Sequence, residues 1–158
     1  MKRDSRLSGV LHVLLHMAEM KGPATSETLA AAMQTNPVVV RRVMTGLREA
    51  GFVASAKGHG GGWVLSCPLA EVTLADIHAA LGSPGLLALG HRTESPGCIV
   101  EQAVNAALEQ TWREAEALML QRLGEVTLAD LSADFHRRMV AGRHTLHDVS
   151  HTESYDAP

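Results

Sequence analysis

The sequence predicts a mainly α protein with a small β-hairpin wing, in which a winged helix-turn-helix head is followed by a long helix suited to dimerisation. Three observations lead there. In NPVVVRRVMTGLREAGFVASAKGHGGGWVLSC (36–67), a capped amphipathic helix precedes two short extended runs around a glycine-rich turn. Two further helical patterns come before it, the second separated from it by three residues. Behind it, residues 98–123 carry an apolar repeat that would make one helix of about 39 Å at 1.5 Å per residue.

Composition sets the bounds. The chain of 158 residues suits one domain with an added dimerisation element, and its length can bury a core without disulfide staples. Apolar residues make up 46% but aromatics only 3%, so the core must come from Leu, Val, Ala and Met. Two cysteines form no disulfide framework, which makes a reducing compartment the default and the cytoplasm the expected location. The opening KRDSR followed by residues 7–18 imitates a signal peptide, but Ser8, His12, His16 and Glu19 interrupt the run. No stretch reaches the roughly 18 apolar residues of a membrane span, so no membrane partner is expected.

Leu7, Val10, Leu11, Leu14, Leu15 and Ala18 recur at three- and four-residue steps, which gives an amphipathic helix over 5–20. His12 and His16 lie one turn apart within it, the spacing of a two-histidine metal pair. No H-E-x-x-H pattern accompanies them, and they read as a partly exposed structural pair. Gly22-Pro23 ends this helix; Thr25 or Ser26 caps a short second one over 27–33, with Glu27 favourable in its first turn. Gln34, Thr35 and Asn36 are the turn into the third helix, which Asn36 caps and Pro37 begins. Val40, Val43, Met44 and Leu47 bury one face of that helix, and Val38, Val39, Arg41, Arg42, Thr45 and Arg48 occupy the other. Gly51 suits the left-handed close of the helix.

Residues 52–57 and 63–67 read as strands and 58–62 as a tight turn, with Lys57 and His59 at the hairpin tip. In this order the exposed helix can enter a major groove of double-stranded DNA while the wing reaches neighbouring phosphates. The glycine run is not a nucleotide loop: no Lys-Ser or Lys-Thr follows it and no helix begins there.

After Pro68, Thr73 and Asp76 form an acidic capping box over Leu74, Ile77 and Leu81, and Gly82 stops the helix. The words EVTLADI (71–77) return as EVTLADL (125–131), which we read as two helices opened by one local solution, since nothing else around the copies matches. Residues 83–97, with three glycines and two prolines, read as loop, in which 86–89 packs or forms a short strand. In 98–123, Val100, Ala103, Val104, Ala107, Leu108, Thr111, Ala115, Leu118 and Met119 make a nearly heptad seam, so we expect the helix to pair with its copy in a homodimer. A last helix over 128–141 and a polar tail follow. His144, His147 and His151 have helical spacing, but Ser150, Thr152, Ser154 and Pro158 point to a solvated, frayed tail.

Net charge is −3, yet residues 1–66 hold eight Lys and Arg against four Asp and Glu, and 67–158 hold six against thirteen. A basic front and an acidic back suit a phosphate reader attached to something that must not bind phosphate. There is no nucleophile-base-acid order and no cofactor fingerprint, so the chain is not expected to be an enzyme.

The segment LREAGFVASAKGHGGGWVLS (47–66) resembles the signature of the Rrf2 family of bacterial winged-helix transcription regulators, and the likeness extends over about 5–131. The resemblance implies a homodimer with two winged helix-turn-helix heads and DNA contacts at Thr35, Asn36, Val38, Val39, Arg41, Arg42 and His59; we expect an operator-binding repressor. Arg41 stands where many members carry an acidic residue, so the operator preference does not carry over; an arginine favours guanine O6 and N7 or a phosphate. Cluster-binding members place three cysteines before the long helix, whereas here the region offers only Cys98, with His91 and Glu94 nearby. We therefore expect no iron–sulfur cluster and no other cofactor.

Members with one cysteine in this place resemble thiol-based sensors. A thiol at a helix start meets the positive end of the dipole, which favours thiolate chemistry and oxidation. A redox-sensing Cys98 and a merely packed one both remain open, as does a small molecule sensed in the dimer core. A winged-helix protein-interaction module is disfavoured by the basic face of Arg41, Arg42, Lys57 and His59. The expected organisation is a DNA-binding head (1–82), a sensor loop (83–97), dimerisation helices (98–141) and a disordered polar tail (142–158).

Overall fold

The computed structural model describes residues 5–149 apart from 88, 91, 92 and 96, with side chains described as far as residue 142. Six helices and one hairpin follow in order: α1 (Arg6–Glu19), α2 (Ser26–Met33), α3 (Pro37–Glu49), β1 (Val53–Ala56), β2 (Gly62–Leu65), α4 (Leu74–Ala80), α5 (Ile99–Gly124) and α6 (Leu128–Val149). A 3-10 turn, Leu69–Glu71, joins β2 to α4.

The helix starts follow their capping chemistry. Thr25 Oγ1 accepts from Thr28 N at 3.1 Å, and Asn36 Oδ1 accepts from both Val38 N and Val39 N at 3.0 Å. Each such cap satisfies donors that a helix start leaves unpaired and contributes about 1 kcal/mol. At the end of α3, Gly51 takes φ +83°, the left-handed backbone that only glycine adopts without penalty.

The core is shared among all parts of the head. Val13 and Leu14 of α1, Leu29 of α2, Met44 and Leu47 of α3, Val53 of β1 and Ile77 of α4 are buried together, and Leu128 from the start of α6 joins them with no exposed surface. α3 and α4 approach closely at Gly46, where a Cβ would lie 3.0 Å from Ala80 O. The antiparallel hairpin pairs Val53 with Leu65 and Ala56 with Gly62. Ala24 adds a third edge: Ala24 N donates to Trp63 O at 2.9 Å and Trp63 N to Ala24 O at 2.8 Å. A Cβ on Gly62 would meet Ala24 O at 2.5 Å, so this position must be glycine for the edge to close.

The repeated EVTLAD words do more than open two helices. In both copies the carboxylate accepts from the threonine N–H and hydroxyl: Asp76 Oδ2 from Thr73 and Asp130 Oδ2 from Thr127, at 2.8–2.9 Å. The two copies also pair with each other. Leu74 N donates to Val126 O and Leu128 N to Val72 O, both at 2.9 Å, around an antiparallel bridge between Thr73 and Thr127.

The loop between α4 and α5 forms no strand at 86–89 among the described residues. It is instead pinned at two points: buried His78 donates through Nε2 to Pro84 O at 2.8 Å, and Leu86 N donates to Glu116 Oε1 at 2.9 Å. α5 packs on α4 and buries none of its own residues. α6 runs to Val149, past the end expected at 141, because a lone Gly142 costs a helix only about 1 kcal/mol and no proline follows before residue 150. The expected disorder of 150–158, together with His151, lies outside the described residues, as do the side chains of His144 and His147. No helix among the described residues is long and apolar enough to cross a membrane.

Candidate nucleic-acid interface

The helix-turn-helix is set by α2 and α3 with the turn at 34–36. Gln34 adopts φ 51°, ψ 45° to make that turn, and Thr35 N donates to Ala30 O at 3.0 Å. This holds Thr35 half-buried at the base of the outer face of α3. Asn36 spends its side-chain oxygen on the cap, leaving its amide N–H groups for a base or phosphate. Val38 is 63% exposed and Val39 41%, while Val40, Met44 and Leu47 are buried, so α3 presents the face that the sequence assigned to solvent.

The two arginines of that face differ. Arg41 Nη2 donates to Glu27 Oε1 at 3.0 Å, a link from α3 back to the first turn of α2. Arg42 is exposed and has no ion-pair partner among the described residues. Sequence reasoning missed the Arg41–Glu27 pair because no local pattern joins positions 14 residues apart.

Lys57 and His59 stand exposed at the tip of the hairpin, and β1 packs on α3, so wing and recognition helix belong to one body. The turn between the strands depends on Gly61, where a Cβ would fall 2.3 Å from Ala56 O. The wing is also tied to the other helix of the motif: Trp63 Nε1 donates to Ser26 Oγ at 3.1 Å. That positioning role of Trp63 carried no sequence signal beyond its place after the glycines.

Cys98 is exposed and forms the N-cap of α5. Its N–H donates to Ser95 O at 2.8 Å and its carbonyl accepts from Gln102 N at 3.0 Å, while its thiol makes no cap bond. Cys67, two residues beyond β2 rather than in the strand expected to run to it, is half-buried, and that burial pushes its thiol above the ordinary cysteine range, against a smaller opposing backbone hydrogen bond. Both cysteines are free. One exposed thiol at the loop and one half-buried thiol past the end of β2 do not supply the several thiolates of an iron–sulfur cluster. His91, named beside Cys98 in the sequence reading, lies outside the described residues.

The family profile of Rrf2, described as an iron-dependent transcriptional regulator, matches residues 3–134. YwnA of Bacillus subtilis (strain 168), which bears the name of an HTH-type transcriptional regulator, is 30% identical over 128 residues, 81% of this chain and 95% of that protein. Among solved structures, IscR of T. potens superposes with a TM-score of 0.62 at 20% identity, over 85% of this chain and 88% of that one. CymR, the global cysteine regulator of B. subtilis, does so with a TM-score of 0.58 at 24% identity, over 84% and 98%.

Proposed function

Because the chain belongs to the Rrf2 family of transcriptional regulators, we propose that it acts as a homodimeric, sequence-specific reader of operator DNA in the cytoplasm, repressing transcription and responding to oxidation at Cys98. The observation that carries DNA reading is the outer face of α3. Two valines and an exposed arginine without an ion-pair partner among the described residues face solvent there, next to a wing tipped by Lys57 and His59. Exposed valines offer apolar contact to thymine methyls, and arginine reads guanine or phosphate.

Support for the dimer comes from α5. Ile99, Val100, Val104, Leu108 and Leu118 are all exposed on a helix that packs on α4 without fully burying any of its own residues. Burying each such side chain stabilises an assembly by about 1.5–3 kcal/mol. Two heads on paired α5 helices can present two recognition helices to half-sites about 34 Å apart.

Cys98 lies where the loop meets that helix. Peroxide converts its thiol to a sulfenic acid with release of water, and condensation with a second thiol gives a disulfide and another water. Either change alters the start of α5 and with it the spacing of the heads. No iron–sulfur cluster enters this reading, whatever other members of the family bind. Footprinting of the purified protein on its own upstream region, reduced and oxidised, tests the proposal: a protected palindromic site in the reduced state, lost on oxidation, is expected. Absence of any protected site would remove the reading.

A further inference from the structure

On α1, the residues that turn away from the core form a second surface unrelated to the DNA-reading face. His12, Leu15, His16 and Glu19, with Phe135 of α6, line an open cavity of about 160 Å³. Within it the two imidazoles converge: His12 Nε2 and His16 Nε2 are 2.8 Å apart, with ring centroids 4.6 Å apart and ring planes inclined by 54°. Glu19, on the next turn of the same face, pairs with His136 of α6 at 3.2 Å.

In the metal-free protein one imidazole donates its Nε2–H to the Nε2 of the other, which holds both nitrogens together beside the cavity. Bonds of about 2.0–2.1 Å from a metal ion, meeting at 90–109°, hold two imidazole nitrogens roughly 2.9–3.4 Å apart. The observed pair needs to open by only a few tenths of an ångström to span an ion. Imidazole suits zinc, copper, nickel and iron rather than magnesium or calcium. We propose that His12 and His16 chelate a divalent transition metal in this cavity, with Glu19 supplying carboxylate charge and water completing the shell. Among the described residues no three ligating groups already meet at one point. Glu19 joins the ion only by leaving His136, so occupancy exchanges a tie between α1 and α6 for a bond to the metal.

The test uses the full chain and zinc chloride. His144, His147 and His151 are replaced by alanine as the background, which removes the other closely spaced histidines. Calorimetric titration of this background should show one zinc per chain. Adding His12→Gln or His16→Gln, which keeps a hydrogen-bonding side chain but not the imidazole, should weaken binding about 100-fold or abolish it, while the metal-free melting curve stays the same. Cobalt(II) on the background gives a second readout that needs no further variant. A d–d spectrum of nitrogen and oxygen ligands without thiolate charge transfer is expected. Zinc binding unchanged in both glutamine variants, no zinc bound by the background, or a thiolate band with cobalt would each overturn the proposal.

Discussion

Arg41 is tied to Glu27 by a 3.0 Å ion pair that spans the helix-turn-helix, whereas its exposed neighbour Arg42 has no ion-pair partner among the described residues. The side chains of Arg41 and Glu27 are 56% and 64% exposed, so the pair is worth less than about 1 kcal/mol and yields readily to a base or phosphate. Among the described residues Arg42 has no such pair to break. Arg42→Ala should therefore cost operator binding about 1–3 kcal/mol and relax discrimination between sequences, as loss of a base contact does. His59→Ala should weaken all DNA alike and flatten the salt slope. Glu27→Gln, which removes a negative charge beside the phosphate path, should raise affinity for non-specific DNA at low salt. Fluorescence anisotropy across a salt titration reads all three; parental behaviour of both Arg42→Ala and His59→Ala would exclude this docking.

The exposed seam on α5 makes oligomeric state a sharp measurement. The protein should sediment as a dimer at micromolar concentration. Ala107→Glu places a carboxylate in the seam, where pairing with a copy would bury it, and should yield monomers or aggregates. An undisturbed dimer for this variant moves the interface off the seam.

The two thiols differ in their surroundings, and their reactivity should follow. Cys98 is exposed, while burial holds the Cys67 thiol above its ordinary range. Dilute peroxide should label Cys98 first, as mass spectrometry of trapped sulfenic acid will read. Operator affinity should drop on oxidation, return with reductant, and ignore oxidant in Cys98→Ser. Release of DNA by oxidised Cys98→Ser would place the signal elsewhere.

Asp130 gives a pH dependence with a definite sign. The Thr127 backbone N–H first, then its hydroxyl, hold the Asp130 carboxyl below the ordinary range. A carboxyl lowered on folding stabilises the native state fully above its unfolded value, about 3.9, and loses that contribution as pH falls through the lower folded value. The melting temperature should hold from pH 7 to 5 and fall below about pH 4. Asp130→Asn should melt lower at neutral pH and lose less on acidification; an identical acid profile would show that the cap contributes nothing.

Local chemistry made much of this legible in advance. The first three helices, the Asn36 cap, the hairpin and both threonine–aspartate boxes follow from neighbours a few positions apart, which is the range over which a sequence pattern speaks. Pairings between distant positions were hidden. Nothing in EVTLADI and EVTLADL says that their backbones will meet, nor in Ala24 that it will pair with Trp63. Gln34 takes a left-handed turn that glycine usually marks, so its φ could not be read from its identity. At the interface the exposed face of α3 was readable from helical periodicity, and the unequal state of its two arginines was not, because Glu27 comes from another helix.

The closure of the head by Leu128 bears on how the chain is made. A ribosome delivers the nascent chain from its N-terminus, so recognition helix and wing emerge well before the residue that plugs their core. Leu128 is wholly buried, and its N–H completes the bridge to Val72. Until that segment is made, the Val72 carbonyl and the Leu74 N–H lack the partners they have in the finished fold, and the core lacks one of its fully buried side chains. A fragment ending after α4 would hold the helix-turn-helix and the hairpin yet lack the residue that seals their core.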